Sequence, residues 1–137
     1  MKVMVRLVLC LIVTGLVASC SSGPSKTIEN LKTAYNGEST ASAKYAAFAQ
    51  KAETEGFDTI AVMFRATSKS EAIHAGNHKR VLENLGVETG DPVIEHFEVL
   101  STAENLASGI KGESYEIDEM YPGFIATAEK EEITDAI

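Results

Sequence analysis

The 137-residue sequence contains only two cysteines, no tryptophan and three prolines. Both cysteines lie within the first 20 residues, so the rest of the chain can form neither a disulfide bond nor a thiolate metal site. Positive charge is also scarce, with 12 Lys and Arg against 20 Asp and Glu, and such an acidic surface repels nucleic acid. Stability must therefore come from core packing, a metal ion or a partner chain.

The N-terminus combines a basic start with a short apolar run. Lys2 and Arg6 provide the positive charge before the apolar run. The run covers residues 7 to 17, fewer than the roughly 20 residues that span a bilayer. Small residues then lead directly to Cys20, an order typical of a secretion signal. The motif resembles a lipobox, in which the cysteine is acylated and becomes the new N-terminus. An ordinary secretory signal cut near Ala18 is the alternative.

These features predict three segments: a signal peptide at 1–19, a lipidated Cys20 with a tether through 26, and one domain at 27–137. Serines rather than an acidic residue follow the cysteine. The chain is therefore expected at the cell envelope, attached to the membrane through its lipid anchor. In a Gram-negative host it would lie on the periplasmic face of the outer membrane.

Helical patterns fill the domain, and no convincing strand interrupts them. The first helix is expected over 27–54 and the second over 58–85, with Gly56 and Gly86 as stop signals. Ser101 and Glu104 have capping-box spacing, so a third helix should begin near 102. It continues into a fourth helical stretch that the chain does not finish. The sequence predicts an all-α up-down bundle with an incomplete fourth helix.

An internal repeat links the two halves of the domain. The letters GES at 37–39 recur at 112–114, an offset of 75, and Tyr45-x-x-Phe48 recurs as Tyr121-x-x-Phe124, an offset of 76. One residue has therefore been inserted between the two matches in the third helix. An extra residue inside a continuing helix is usually absorbed as a π-bulge, and the nearby proline favours one here.

Acidic side chains and a histidine interrupt the apolar stripes of these helices. The stripe of the second helix is Ile60, Phe64, Thr67, Glu71, His74, His78, Val81 and Leu85. Each of the three long helices has acidic side chains near the middle of its stripe. They are Glu38 on the first helix, Glu71 beside His74 on the second, and Glu113 with Glu116 one turn on in the third. The stripes contain no Lys or Arg, and burying unpaired carboxylates is very costly. A bound cation would solve this, unless a misjudged helix rotation exposes some of these residues. Mixed oxygen and imidazole donors suit iron or manganese, with zinc possible.

Residues 27–135 resemble the rubrerythrins. The resemblance rests on GES at 37–39, EAIHA at 71–75 and GESYEIDEMYP at 112–122. It implies a ferritin-like bundle with two irons per complete site, in which lone glutamates and Glu-x-x-His pairs are the ligands. Glu38, Glu71, His74, Glu113 and Glu116 are the implied metal ligands.

The resemblance also implies roles around the metals. His74 and Glu116 would exchange as ligands of one iron, which makes them the implied catalytic pair. Tyr45 and Tyr121 would form hydrogen bonds to the ligands. His78 lies on the stripe of the second helix, one turn beyond His74, and this position favours a place just outside the ligands or at the solvent edge over metal ligation. The implied activity is reduction of hydrogen peroxide.

Two departures from the family pattern qualify these implications. The four-cysteine rubredoxin module of many rubrerythrins has no counterpart, so the electron donor, rubredoxin-like or other, must be a separate molecule. The second Glu-x-x-His expected from the repeat would fall beyond Ile137. Three explanations stay open: a piece of a longer protein, a helix-swapped homodimer, or a degenerate site with one metal or none.

The favoured hypothesis is therefore a di-iron oxidoreductase of rubrerythrin type that acts on hydrogen peroxide at the envelope. The alternative is a lipid-tethered bundle that binds metal without turnover. In a third, purely structural reading, alanine in place of Glu38 or Glu71 would leave stability unchanged or raised, with or without metal.

Overall fold

The computed structural model describes residues 25–137, so the predicted signal peptide and Cys20 lie outside the described residues. Within that range the chain forms helices and no strand, which confirms the all-α prediction. The elements are α1 (Lys26–Thr54), α2 (Asp58–Asn84), α3 (Thr102–Tyr115), a π-helical turn (Glu116–Met120), α4 (Tyr121–Lys130) and a 3-10 turn (Thr134–Ala136). We call the continuous helical segment at 102–130 the composite helix.

Helix α1 lies between the two other long helical segments and runs antiparallel to both. Against α2, Ser42 and Ser68 exchange side-chain hydrogen bonds to each other's carbonyls at 2.9 and 2.8 Å. The rings of Tyr45 and Phe48 on α1 pack against Phe64 on α2, with centroids 5.9 and 5.5 Å from it. These buried rings form the centre of the core, next to the acidic residues.

The segment at 85–101 crosses from one end of the bundle to the other along α1. The Tyr35 hydroxyl donates to the carbonyl of Gly90, and the side chains of Asn36 and Thr40 accept from the backbone of Val93 and Glu95. Because this connection spans the length of α1, the composite helix runs parallel to α2. Bundles with one long crossover have this arrangement.

Local signals set the helix ends as predicted. Gly56 and Gly86 adopt φ values of +81° and +76°, which favour glycine because a side chain is strained there. The N–H of Phe57 then reaches back to the carbonyl of Ala52 at 2.8 Å and closes α1. At the start of α3, Ser101 and Glu104 form the expected capping box. The π-helical turn lies where the one-residue insertion predicts it.

The repeat is visible as two matching contacts at opposite ends of the bundle. The Glu55 carboxylate, at the end of α1, accepts the backbone N–H of Thr102 at 2.9 Å. Its counterpart Glu131, 76 residues on, accepts the N–H of Thr27 at 3.0 Å and the hydroxyl of Ser25 at 2.7 Å. Each carboxylate thus ties the end of one helix to the N-terminus of another, where negative charge is favoured.

Replacing Glu131 by glutamine should lower the melting temperature at pH 7. Hydrogen bonds, first from Ser25 and then from the start of α1, lower the pKa of Glu131 to about 2. An unfolded glutamate titrates near pH 4.3, so the ionised group stabilises the fold above that pH and loses its effect as pH falls toward 2. Thermal melts from pH 7 to pH 3 should show a difference that shrinks below pH ~4. Exposed Glu129→Gln is the control, and an equal loss in it would contradict the prediction.

The predicted apolar stripes hold for α1 but need correction in the other helices. On α1, Leu31, Glu38 and Tyr45 are buried as expected. On α2, Leu82 is fully buried while Val81 and Leu85 are not. On the composite helix, Ile110 and Ile117 are 69% and 70% exposed. The reason is that α1 covers only one side of these helices, and no other described helix covers the rest.

Within residues 25–137, no helix combines the length and apolar character needed to cross a membrane.

Candidate metal centre

Helices α1 and α2 bring two carboxylates and an imidazole into one compact group. Donor atoms of Glu38, Glu71 and His74 all lie within 4.8 Å of one another. The His74 Nδ1 atom is 2.9 Å from Glu71 Oε2 and 3.8 Å from Glu38 Oε2. Glu71 and His74 stand three residues apart on α2, a spacing that places both on one face. The group can therefore offer both oxygen and nitrogen ligands to one ion.

Burial makes this group costly without a cation. The side chains of Glu38 and Glu71 are 1% and 5% exposed, whereas that of His74 is 48% exposed. Glu38 Oε2 is buried and has no hydrogen-bond partner among the described residues. Burial removes the hydrogen bonds between an acceptor and water, and without a protein partner no other hydrogen bond replaces them. This orphaned oxygen, aimed at Glu71 and His74, fits a metal ligand.

Glu113 and Glu116 approach the same centre from the composite helix. Both are half-buried, and their charges help to raise the pKa of Glu71. Their oxygens lie outside the compact group, so the structure brings three of the five predicted ligands together and holds two at its edge. Glu116 begins the π-helical turn directly after α3, three residues beyond Glu113.

The pKa values of Glu71 and Glu116 are raised because several carboxyl groups lie close together in a partly buried site. Burial, followed by the nearby carboxyl group of Glu38 and its charge, raises the pKa of Glu71 to about 8. Burial and the charges of Glu38 and Glu113 raise the pKa of Glu116 to about 7. Desolvation and like charge disfavour the ionised forms, and a divalent cation would reverse both effects.

The two predicted tyrosines each donate a hydrogen bond to a candidate ligand on another helix. Tyr121 donates to Glu38 Oε1, and Tyr45 donates to Glu113 Oε1 at 2.5 Å. The pairs are related by the internal repeat, since each tyrosine reaches from one repeat to the glutamate of the other. Burial, helped by these acidic neighbours, raises the pKa of both phenols, so each keeps its proton at neutral pH.

Two features were missed by the sequence analysis. The first is Lys44: its Nζ lies 5.1 Å from the centre of the Tyr45 ring, and its charge partly offsets the raised pKa of Glu116. A cation therefore approaches the acidic residues at this edge, although the apolar stripes themselves contain no Lys or Arg. Lys44 is adjacent to Tyr45 in the sequence, but it does not belong to the apolar stripe, so the stripe pattern gives no sign of it.

The second missed feature is an open cavity of about 420 Å³ between α2 and the composite helix. Its wall includes Met63 and Phe64 on one side and Ile110 and Ile117 on the other, with Glu113 among the lining residues. We call it the α2–α3 groove. No pattern within one helix reveals it, because it arises where two parallel helices are left uncovered.

Sequence comparisons match most of this chain to known proteins. A family model described as Rubrerythrin matches residues 29–136. Nigerythrin of Nitratidesulfovibrio vulgaris is 38% identical over 123 residues, which are 90% of this chain and 61% of that protein. Rubrerythrin-2 of Clostridium acetobutylicum is 34% identical over 80% of this chain and 60% of its own length. The chain thus spans about three-fifths of these curated relatives.

Solved structures of nigerythrin give the same result for the fold. Its fully reduced, all-ferrous state superposes with a TM-score of 0.77 at 36% identity, covering 99% of this chain and 68% of that one. A mixed-valence state gives the same values. This likeness confirms the ferritin-like class predicted from the sequence.

Proposed function

Because the chain belongs to the rubrerythrin family, we propose that it binds two iron ions and reduces hydrogen peroxide to water. The observation that carries this proposal is the orphaned Glu38 Oε2, buried within a group of two carboxylates and an imidazole. Such a donor set suits iron, with manganese or zinc as other candidates. The all-ferrous state of the related nigerythrin supports iron.

The described residues supply five ligands and two hydrogen-bond donors for this centre. Glu38, Glu71, His74, Glu113 and Glu116 would hold the metals. When bound, the irons would supply the two electrons that, with two protons, convert one peroxide molecule to two waters. In the metal-free site Glu71, with a pKa of about 8, is mostly protonated at neutral pH, and Glu116, with a pKa of about 7, is protonated in about half of the molecules.

We assign His74 and Glu116 as alternate ligands of one iron. His74 is half-exposed on α2, and Glu116 stands on the π-helical turn facing the same centre. Turns of this kind inside α-helices occur frequently at functional sites. The electrons would come from a rubredoxin-like or other donor.

The α2–α3 groove is where the remaining ligands would have to enter. It is apolar along its walls and has Glu113 among its lining residues, so an amphipathic helix could bury its apolar face there and direct polar residues inward. We propose that a helix with a second Glu-x-x-His pair occupies it in a helix-swapped dimer. Among the described residues only α2 carries such a pair, as Glu71 and His74, so the helix from the second copy would be its α2. Light scattering with and without Fe(II) tests this: a metal-dependent dimer supports the swap, and a monomer with two irons contradicts it.

Peroxide reduction is tested by comparing two oxidants. Protein loaded with Fe(II) under anaerobic conditions should be oxidised faster by hydrogen peroxide than by oxygen at equal concentration. Glu116→Gln should slow the reaction with peroxide, while Glu119→Gln, an exposed carboxylate on the same π-helical turn, should leave it unchanged. An equal or slower reaction of the wild type with peroxide contradicts the proposed activity.

A second function is favoured by the incomplete enclosure of the site. Three donors are compact, but His74 is half-exposed and the α2–α3 groove lies open. A lipid-tethered bundle that binds one metal without turnover would have these properties. Metal stoichiometry separates the two: two irons per chain or per swapped half favours the oxidoreductase, and a single zinc favours the binding module.

We also propose that Cys20 anchors the protein at the cell envelope, on the periplasmic face of the outer membrane in a Gram-negative host. Cys20→Ser should leave the protein unprocessed or release it from the membrane fraction. Acyl chains on this residue would provide the anchoring, and several chains are needed for stable attachment. Cell fractionation with immunoblotting measures it, with Ser21→Ala as the control. Unchanged processing and membrane association in Cys20→Ser would rule the anchor out.

A further inference from the structure

A third group extends the hydrogen-bonded pair formed by Tyr121 and Glu38. The Nε2 atom of His78 lies 3.1 Å from the Tyr121 hydroxyl oxygen. The two rings are nearly parallel, with an interplanar angle of 18° and centroids 6.0 Å apart. His78 is half-buried on α2, one turn beyond His74, and it is not part of the compact donor group. The Tyr121 hydroxyl therefore bridges His78 and a candidate metal ligand.

The related tyrosine of the first repeat has no such partner. The hydroxyl of Tyr45 donates to Glu113 and makes no second hydrogen bond among residues 25–137. Its other side is packed against Gly109, where an added Cβ would come within 3.3 Å of the hydroxyl oxygen. A tyrosine–glutamate pair can thus form without histidine, and the contact with His78 distinguishes Tyr121 from its counterpart.

The chemistry of the three groups fixes the direction of both hydrogen bonds. The Tyr121 hydroxyl donates to Glu38 Oε1, and this hydrogen bond uses its single phenolic proton. The Tyr121 oxygen can then only accept from His78, which requires a proton on Nε2 of the imidazole. Burial lowers the pKa of His78, so the ring is neutral at neutral pH and Nδ1 carries no proton.

We propose that His78 is a positioning residue of the metal centre, which fixes the Tyr121 hydroxyl on Glu38 Oε1 and leaves Glu38 Oε2 as the atom offered to metal. This rests on the proposed metal-binding function. The free atom is the orphaned oxygen that lies 3.8 Å from His74 Nδ1. Without His78, the tyrosine hydroxyl and the carboxylate can rotate, and Glu38 no longer presents one oxygen to the compact donor group. Outer partners of this kind commonly change metal affinity by about 10- to 100-fold.

The first test needs no metal. Nitrogen-15 NMR of the imidazole groups in metal-free wild type should show neutral His78 with its proton on Nε2 at pH 7. A proton on Nδ1 overturns the proposal, because Tyr121 would then have to donate to His78 and not to Glu38. This result stands even if the chain binds no iron, so failure of the proposed function and failure of this inference are distinguishable.

The second test is a double-mutant cycle on Fe(II) affinity. His78→Leu should weaken binding by about tenfold, and His78→Gln, whose amide N–H can take the place of Nε2–H, should restore most of it. In a Tyr121→Phe background His78→Leu should have no further effect, whereas in Tyr45→Phe it should keep its full effect. Loss of affinity that is the same for leucine and glutamine, or that persists without Tyr121, overturns the proposal. Circular dichroism identifies any variant that fails to fold, and if His78→Leu is one of them, the NMR test on the wild type decides the proposal.

Discussion

Fe(II) or Mn(II) should raise the melting temperature of the wild-type protein by roughly 10 °C when present at about 100 times its Kd. Metal bound only to the folded state stabilises it by about 2.7 kcal/mol at that concentration. The donors that would bind it, Glu38, Glu71 and His74, come from two helices and are adjacent only after folding. The measurement is thermal melting under anaerobic conditions, with and without metal.

The double variant Glu71→Ala/His74→Ala should lose this metal response. A matched control removes the same two residue types from the exposed crossover, His96→Ala/Glu98→Ala, and should keep the full shift. If metal stabilises Glu71→Ala/His74→Ala as much as the wild type, the compact group is not the site. If the wild type does not respond at all, the proposed oxidoreductase activity fails for this chain, although its family membership stands.

Glu71→Gln should make the metal-free protein more stable than the wild type at pH 8. The pKa of Glu71 is raised to about 8 by burial and by Glu38, whereas an unfolded glutamate titrates near pH 4.3. Between these values the unfolded chain binds fewer protons than the folded one, so wild-type stability falls as pH rises, by at most about 1.4 kcal/mol per pH unit. Glutamine keeps the size and the donor of the neutral carboxyl group and does not ionise.

Urea unfolding in the presence of a chelator, from pH 5 to pH 8.5, measures this effect. The advantage of Glu71→Gln should grow with pH and level off above pH 8, while metal no longer stabilises the variant. Glu116, with a pKa raised to about 7, adds to the wild-type loss and leaves a smaller slope in the variant. Exposed Glu98→Gln should follow the wild type. Parallel curves for Glu71→Gln and wild type would contradict the assigned cause.

Local patterns allowed much of the fold to be predicted, because the interactions behind them are local. Gly56 and Gly86 end helices through their own backbone conformation, and Ser101 with Glu104 begins one within a single turn. The π-helical turn followed from counting residues between two repeats. These features depend on few residues close in sequence, so tertiary packing did not override them.

Other features depend on what covers a helix, which no single helix encodes. Ile110 and Ile117 continue an apolar stripe yet are exposed, because the described residues place nothing against that side. His74 is half-exposed for a related reason, although its spacing from Glu71 is typical of a buried ligand pair. The path of the crossover depends on side chains of α1, such as Asn36 and Thr40, that carry no recognisable loop signal.

Helix α1 packs much more closely with α2 than with the composite helix, and this difference determines which helix separates more easily from the metal centre. The composite helix has few packing contacts with α1. It is attached to α1 mainly by the two tyrosine–glutamate hydrogen bonds and by the contacts of Glu55 and Glu131. Segments with few buried contacts open at lower free energy, so amide hydrogen exchange should be faster in the composite helix than in α1. When the composite helix moves away, Glu113 and Glu116 leave the centre, whereas Glu38, Glu71 and His74 stay together on the hairpin formed by α1 and α2. An ion would therefore enter and leave from the composite-helix side, while the hairpin retains three of its ligands.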